Sequence, residues 1–157
     1  MSWDTNRWTA NNTTEFTRLW AAREFGPAYA EDIADLMAKY SKYNGRRKPE
    51  LLAPDTYSLT DYREAETGAA DYRAVAAQAE EIAAALPVAK RDAFHQLIGY
   101  PAGAGALLHE LYLAAGRNAL YAQQGRASAG AQAAIDFDQG VVLAARRVFF
   151  ESGVQIT

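Results

Sequence analysis

The stretch KYNGRRKPELL, Lys42 to Leu52, holds the densest positive charge in the chain: Arg46, Arg47 and Lys48 in succession, between an Asn-Gly pair and a proline. A guanidinium such as that of Arg46 can fork onto a carboxylate or phosphate, and Lys48 can add a point charge. Tyr40 and Tyr43, just upstream, can offer a stacking surface to a sugar ring or a base. Tyr40, Tyr43, Arg46, Arg47 and Lys48 are therefore the candidate binding residues, with a phosphate, a nucleic acid or an acidic sugar as the ligand chemistry. A structural reading stands beside this one. Cations just past a helix C-terminus meet the negative end of the helix dipole, cap orphan carbonyls, or bridge to acidic helix faces.

Other chemistry is sparse. His95 and His109 match no zinc spacing, and His109-Glu110 lacks the second histidine of an HExxH helix. Both read as structural histidines. No serine sits in GxSxG, and GAGA at 103–106 follows a helical pattern rather than a strand, so it is not a dinucleotide loop. The carboxylate pairs Glu64 and Glu66, Glu80 and Glu81, and Asp136 and Asp138 do not converge on helices and read as solvated faces. No catalytic residue, metal-ligand set or cofactor is nominated. The chain has no cysteine, which excludes a disulfide framework and thiolate metal sites. A net charge of −3 argues against a nucleic-acid partner. The sequence holds no apolar run long enough for a membrane span, and MSWDTNRW lacks the form of a signal peptide.

At 157 residues the chain suits one domain with its own core. Residues 1–11 read as an irregular lead-in, 12–151 as a helical bundle and 152–157 as a tail. Asn12 and Glu15 have capping-box spacing ahead of a helix with Phe16, Leu19 and Trp20 on one face. Trp20 is expected in the core. Trp3 and Trp8 either strap the lead-in across the bundle or meet a neighbour. Gly26-Pro27 ends this helix and starts the next, whose stripe is Tyr29, Ile33, Leu36, Met37 and Tyr40. Asn44-Gly45 stops it, a pair suited to left-handed backbone. Leu51, Leu52 and Tyr57 are expected to pin the following loop. Thr60 is the expected cap of a third helix reaching Leu86, with Tyr62, Ala65, Ala69, Tyr72, Ala76, Ala79, Ala83 and Leu86 as an inward, heptad-like seam.

Pro87 breaks that run. The next helix carries Phe94, Leu97 and Ile98, is kinked near Pro101, and resumes with Leu107, Leu108, Leu111, Tyr112, Ala115, Ala119 and Ala122 as its stripe. Gly125 is the expected stop and Ser128 the next cap. A last helix is expected over 129–151, with Ile135, Val142, Leu143 and Phe149 inward. No segment alternates with period two. The fold class is all-α: a bundle of about five to six antiparallel helices, one of them kinked.

Two runs then point to a family. IADLMAKYSKYNGRRKPELLAPDTYSL, Ile33 to Leu59, and YPAGAGALLHELYLAAGRNALYAQQGRAS, Tyr100 to Ser128, resemble glycoside hydrolase family 115, the xylan α-1,2-glucuronidases. With the segment joining them, the resemblance covers about residues 3–130. In that family such segments belong to a helical domain that follows a (β/α)₈ barrel carrying the active site. The parent activity is removal of glucuronic acid, or its 4-O-methyl form, from xylan with inversion. A barrel needs about 200 residues or more, so no family catalytic residue is carried over to this chain. The closing stretch IDFDQGVVLAARRVFFESGVQIT departs from the family pattern.

The resemblance thus implies a non-catalytic helical accessory domain. Its partner is a catalytic barrel of the parent protein or another subunit, with xylan as the candidate ligand and no nucleic-acid or membrane partner. The parent is expected to be extracytoplasmic, periplasmic or secreted. Two alternatives remain. One is a binding module for acidic xylan built on the five residues above. The other is a helical interaction or oligomerisation protein, favoured by the alanine-rich seam and by Val148, Phe149 and Phe150.

Overall fold

The computed structural model describes residues 4, 6–126 and 131. Among them the chain is helical, with no strand. The helices are α1 (Thr13–Phe25), α2 (Ala30–Asn44), α3 (Glu64–Ala85), α4 (Val88–Phe94) and α5 (Tyr100–Gln123). A π-helical turn, His95–Gly99, joins α4 to α5. These three pieces form one bent rod, so the described residues hold four rods where the sequence suggests five or six helices. The expected helix over 129–151, with its Ser128 cap and inward Ile135, Val142, Leu143 and Phe149, lies outside the described residues, as do Trp3, Asp136 and Asp138. None of the described helices is long and apolar enough to cross a membrane.

The bend has a local cause. Pro101 has no N–H to donate, and in a regular helix its ring would strike the carbonyl one turn back. The wider turn just ahead of it, closed by the Tyr100 N–H on the His95 carbonyl, relieves that clash. The chain bends where the proline was expected to kink it, without a break.

The core is built from Ala21 and Phe25 of α1, Ile33 and Leu36 of α2, Val75, Ala79 and Ile82 of α3, and Phe94, Ile98 and Ala102 of the bent rod. Phe25 meets Phe94 edge to face at 5.6 Å, and Trp20 meets Phe25 in the same way at 5.6 Å. Such pairs add to the area they bury. The α2 stripe is as expected: Ile33 and Leu36 are buried, with Tyr29, Met37 and Tyr40 packed around them. In α1 the face differs. Leu19 points out, because the ring of Phe25 sets which side of the helix meets Phe94. Leu97 is likewise exposed, being carried outward on the π turn while Phe94 and Ile98 point in.

The lead-in is fastened by Trp8, whose ring meets Phe16 edge to face at 5.2 Å. Asn12 does not form the capping box. Its Oδ1 accepts the Thr9 N–H at 2.7 Å and its Nδ2 donates to the Arg7 carbonyl at 2.7 Å, closing the lead-in turn instead.

α3 starts later than Thr60. Ser58 Oγ accepts the N–H groups of Thr60 and Asp61 at 3.3 and 2.9 Å, which holds a turn rather than a helix start. Tyr62 and Arg63 then take left-handed φ values of 54° each. Tyr62 therefore lies outside the helical register and is 95% exposed, not inward. From Glu64 the seam follows expectation at Ala69, Tyr72, Ala79 and Leu86, with Val75 and Ile82 added.

α5 turns a different side to the bundle from the one its leucines suggest. Its buried face is Ala102, Ala106, His109, Leu113 and Gly116. The reason lies in how close its neighbours come. A Cβ on Gly116 would stand 2.6 Å from the Pro54 carbonyl oxygen, so the loop between α2 and α3 rests directly on the α5 backbone. Within that loop Leu52 is buried, while Leu51 is exposed.

Gly116→Ala is expected to destabilise the domain by about 1–3 kcal/mol, because a backbone carbonyl cannot step aside as a side chain can. Gly68→Ala is the contrast: a Cβ there meets nothing within 4 Å. It should stabilise α3 by about 0.5–1 kcal/mol through lower unfolded-state entropy. Urea unfolding of the two variants beside the parent checks both signs.

Candidate functional site

The cationic stretch leaves the end of α2, and its first arginine, though exposed, reaches across to α3. Arg46 Nη1 lies 2.6 Å from Oδ2 of Asp71 on α3. Its guanidinium sits over the Tyr43 ring, 4.3 Å from the centroid. Tyr43 in turn tilts against Tyr72, with centroids 5.9 Å apart. The buried Tyr72 donates its hydroxyl to Asn44 Oδ1 at 2.7 Å and stacks on His109 at 3.9 Å. Tyr57, from the loop, stacks on His109 at 6.1 Å. One train of contacts therefore ties α2, the loop, α3 and α5 together.

Sequence explains how the parts come so close. Gly105 has no Cβ, and one placed there would lie 2.9 Å from the Tyr72 ring. The ring can thus lie on the α5 backbone itself. One turn on, His109 Nδ1 is 2.9 Å from the Gly105 carbonyl. A carbonyl only accepts, so Nδ1 carries the proton of the neutral imidazole. Gly45 is right-handed, φ −66°, rather than left-handed, and Asn44 serves through its side chain, as the acceptor for Tyr72.

Burial pushes the Tyr72 phenol up to about 12, with Arg46 pulling the other way. Burial also raises Tyr57, against Arg46 and Arg47. It lowers His109, opposed by the bond to Gly105 and reinforced by Arg46. At neutral pH the Tyr57 and Tyr72 phenols and the His109 imidazole are uncharged, beside an Arg46 cation that Asp71 neutralises. Its ring contacts and ion pair make it a joint between elements. Proton transfer to a substrate needs a titrating group within reach of one, and Tyr72 and His109 are buried.

The five expected residues are thus divided among different settings. Tyr43 and Arg46 belong to the joint. Tyr40 is half-buried at its rim, 3.9 Å from the Cβ position of Gly105. Arg47 donates from Nε to the Leu51 carbonyl at 3.1 Å, bracing its own loop. Lys48 is exposed, at the head of the 3₁₀ turn Pro49–Leu51.

Sequence reasoning missed Asp71 and the role of His109. A signal for His109 existed. Ala102, Ala106, His109, Leu113 and Gly116 recur at helical spacing, but alanine and glycine do not read as a core face. Nor are all the carboxylates solvated. Glu66 Oε1 accepts from Arg117 Nη2 at 3.2 Å, and its Oε2 is buried with no partner among the described residues. Glu64 accepts the Ser58 N–H at 3.2 Å, and Glu110 pairs with Arg73 at 3.3 Å.

His95 has a different setting from His109. It lines a cavity of about 110 Å³ between α3 and the π turn, with Ala79, Ala83, Phe94 and Tyr100 among its walls. Among the described residues no three histidines and carboxylates gather as a metal site.

The sequence model of glycosyl hydrolase family 115 matches residues 1–51. The match takes in α1, α2 and the cationic stretch as far as Leu51, so over that segment the chain is similar to the family. The later run from Tyr100 lies outside it. No curated protein matches the chain.

If the cluster is a structural joint, its members differ in cost. Arg46→Ala should lower stability by about 1 kcal/mol, the pair being partly screened by solvent. Tyr72→Phe removes one hydrogen bond and should cost about 0.5–1.5 kcal/mol. Lys48→Ala should stay within about 0.5 kcal/mol of the parent. Thermal unfolding of the three single variants ranks them.

Proposed function

We propose that this chain is a non-catalytic helical accessory domain related to part of a family 115 xylan α-glucuronidase. One observation carries the reading: the segment matching the family, residues 1–51, holds two helices and a cationic turn, and none of its described residues is in a strand. The partner is the catalytic barrel of the parent protein or another subunit. Against it the domain would pack, shaping the cleft from outside or joining subunits. Four carboxylates of α3 and α5 are engaged, which is in keeping with this. Glu66, Asp71 and Glu110 each face an arginine, and Glu64 a backbone N–H. Inverting glycoside hydrolysis instead needs two carboxyl groups free to flank the scissile bond, about 6.5–9.5 Å apart. Val88 and Leu97, exposed on α4 and the π turn, supply apolar surface of the kind a neighbouring domain covers.

Incubation of the pure chain with glucuronoxylan is expected to release no glucuronic acid or 4-O-methyl-glucuronic acid. Clear release, followed by chromatography of the products, would overturn the reading. A second reading rests on the exposed Lys48 beside Arg47 and the tyrosines of the joint: a binding surface for acidic xylan. Titration with aldouronic acids, followed at the Tyr43 and Arg46 amide signals, separates the two. No shift at roughly millimolar ligand removes the second.

A further inference from the structure

His109 lies under the loop of residues 45–63, which leaves it little contact with water. The imidazole is 7% exposed, stacked on Tyr72 and capped by Tyr57. Leu52, Ala53, Pro54 and Tyr57 of the loop face His109, Tyr112 and Leu113 of α5 across a hollow of about 20 Å³. A hollow of that size holds about one water molecule, too few to hydrate a charged ring. The loop is seated by the Tyr57 stack, by buried Leu52, and by Pro54 against Gly116.

Little compensates a charge on the imidazole beyond the Gly105 carbonyl that Nδ1 already bonds. α3 presents Tyr72, while its Asp71 is engaged by Arg46, its Arg73 by Glu110, its Glu66 through one oxygen by Arg117, and its Glu64 by the Ser58 N–H. The end of α2 presents Tyr43 and Tyr40 beside Tyr72. The loop brings Tyr57 and the Arg46 cation. α5 itself offers Glu110, already paired, and Tyr112. Arg46 repels a second cation, and no carboxylate pairs with His109 among the described residues. The stacked rings would attract an imidazolium to some degree. Burial, with Arg46, outweighs the bond to Gly105, and the ring is held below its ordinary value of 6.5.

We propose that His109 is a proton-operated latch: once protonated, it releases Tyr57 and the loop of residues 45–63 from α5 while the α1–α2 core stays folded. Lifting the loop is the route by which water reaches the charged ring. The direction follows from linkage. A histidine held neutral by the closed state favours closure above the ordinary imidazole pKa, and that preference is lost as pH falls below it. The loop so released is the one that carries Arg47 and Lys48, so any contact these make becomes sensitive to acid.

Amide hydrogen exchange on the full chain tests this, at pH about 7.5 and about 5, corrected for the intrinsic rates. Amides from Leu52 to Ser58 should exchange several-fold faster in acid, while those of Ile33 and Leu36 keep their protection. In His109→Phe, which keeps a stacking ring and removes the proton, the acid effect on the loop should vanish. Direct titration of the His109 ring signals in the unaltered chain needs no variant and should give a pKa below the ordinary value. Unchanged loop exchange in acid, an equal loss across α1 and α2, an acid effect that survives in His109→Phe, or an undepressed His109 titration would each overturn the latch.

Discussion

The contact between the Tyr72 ring and the bare backbone of Gly105 sets the arrangement of the second half of this domain. It fixes how close α3 comes to α5. That closeness places His109 under Tyr72 and leaves His109 to receive Tyr57. The loop then follows, because its carbonyl at Pro54 finds the same lack of a side chain at Gly116. Close-packed interiors respond to a single added methyl, and here two glycines keep the space for a ring and a loop. The phenylalanine cluster of Phe25 and Phe94 does the corresponding work for α1, α2 and the bent rod.

Charge is handled by local neutralisation. Arg46, Arg73 and Arg117 each meet a carboxylate across an element boundary, from loop to helix or from α3 to α5. Such pairs are only partly buried, so each contributes modestly to stability. They also specify register, because each joins a particular position on one element to a particular position on the next. The cationic stretch that looks like a ligand grip in the sequence is thereby tied into the framework at Arg46, braced within its loop at Arg47, and exposed at Lys48.

The features legible in the sequence were those with a local cause. Pro101 dictated a bend, Pro87 a break, and Gly125 a stop, and each appears in its place. The stripe of α2 was legible because isoleucine and leucine recur at helical spacing among charged residues. In α5 the same approach chose the wrong side. Leu107, Leu108 and Leu111 are larger than the buried Ala102, Ala106 and Gly116, but two facing backbones approach closely only where side chains are small. Tyr62 lies ahead of the helix because Ser58, rather than Thr60, organises the turn before it. At the candidate site Tyr43 and Arg46 were found by type and spacing, while Asp71, Asn44 and Tyr57 were not linked to them.

By itself, the sequence determined that the described residues are helical without strands, where their helices break, and which helix carries a strong apolar stripe. These depend on backbone donors, proline rings and the spacing of large apolar side chains, all of which act within a turn or two. Only the tertiary structure decided which face of the alanine-rich helices is inside, that Arg46 points at Asp71, and that His109 is buried beneath a loop. An alanine face contributes too little transfer free energy to choose a direction on its own. The choice falls to partners distant in sequence, which meet only when the helices have packed.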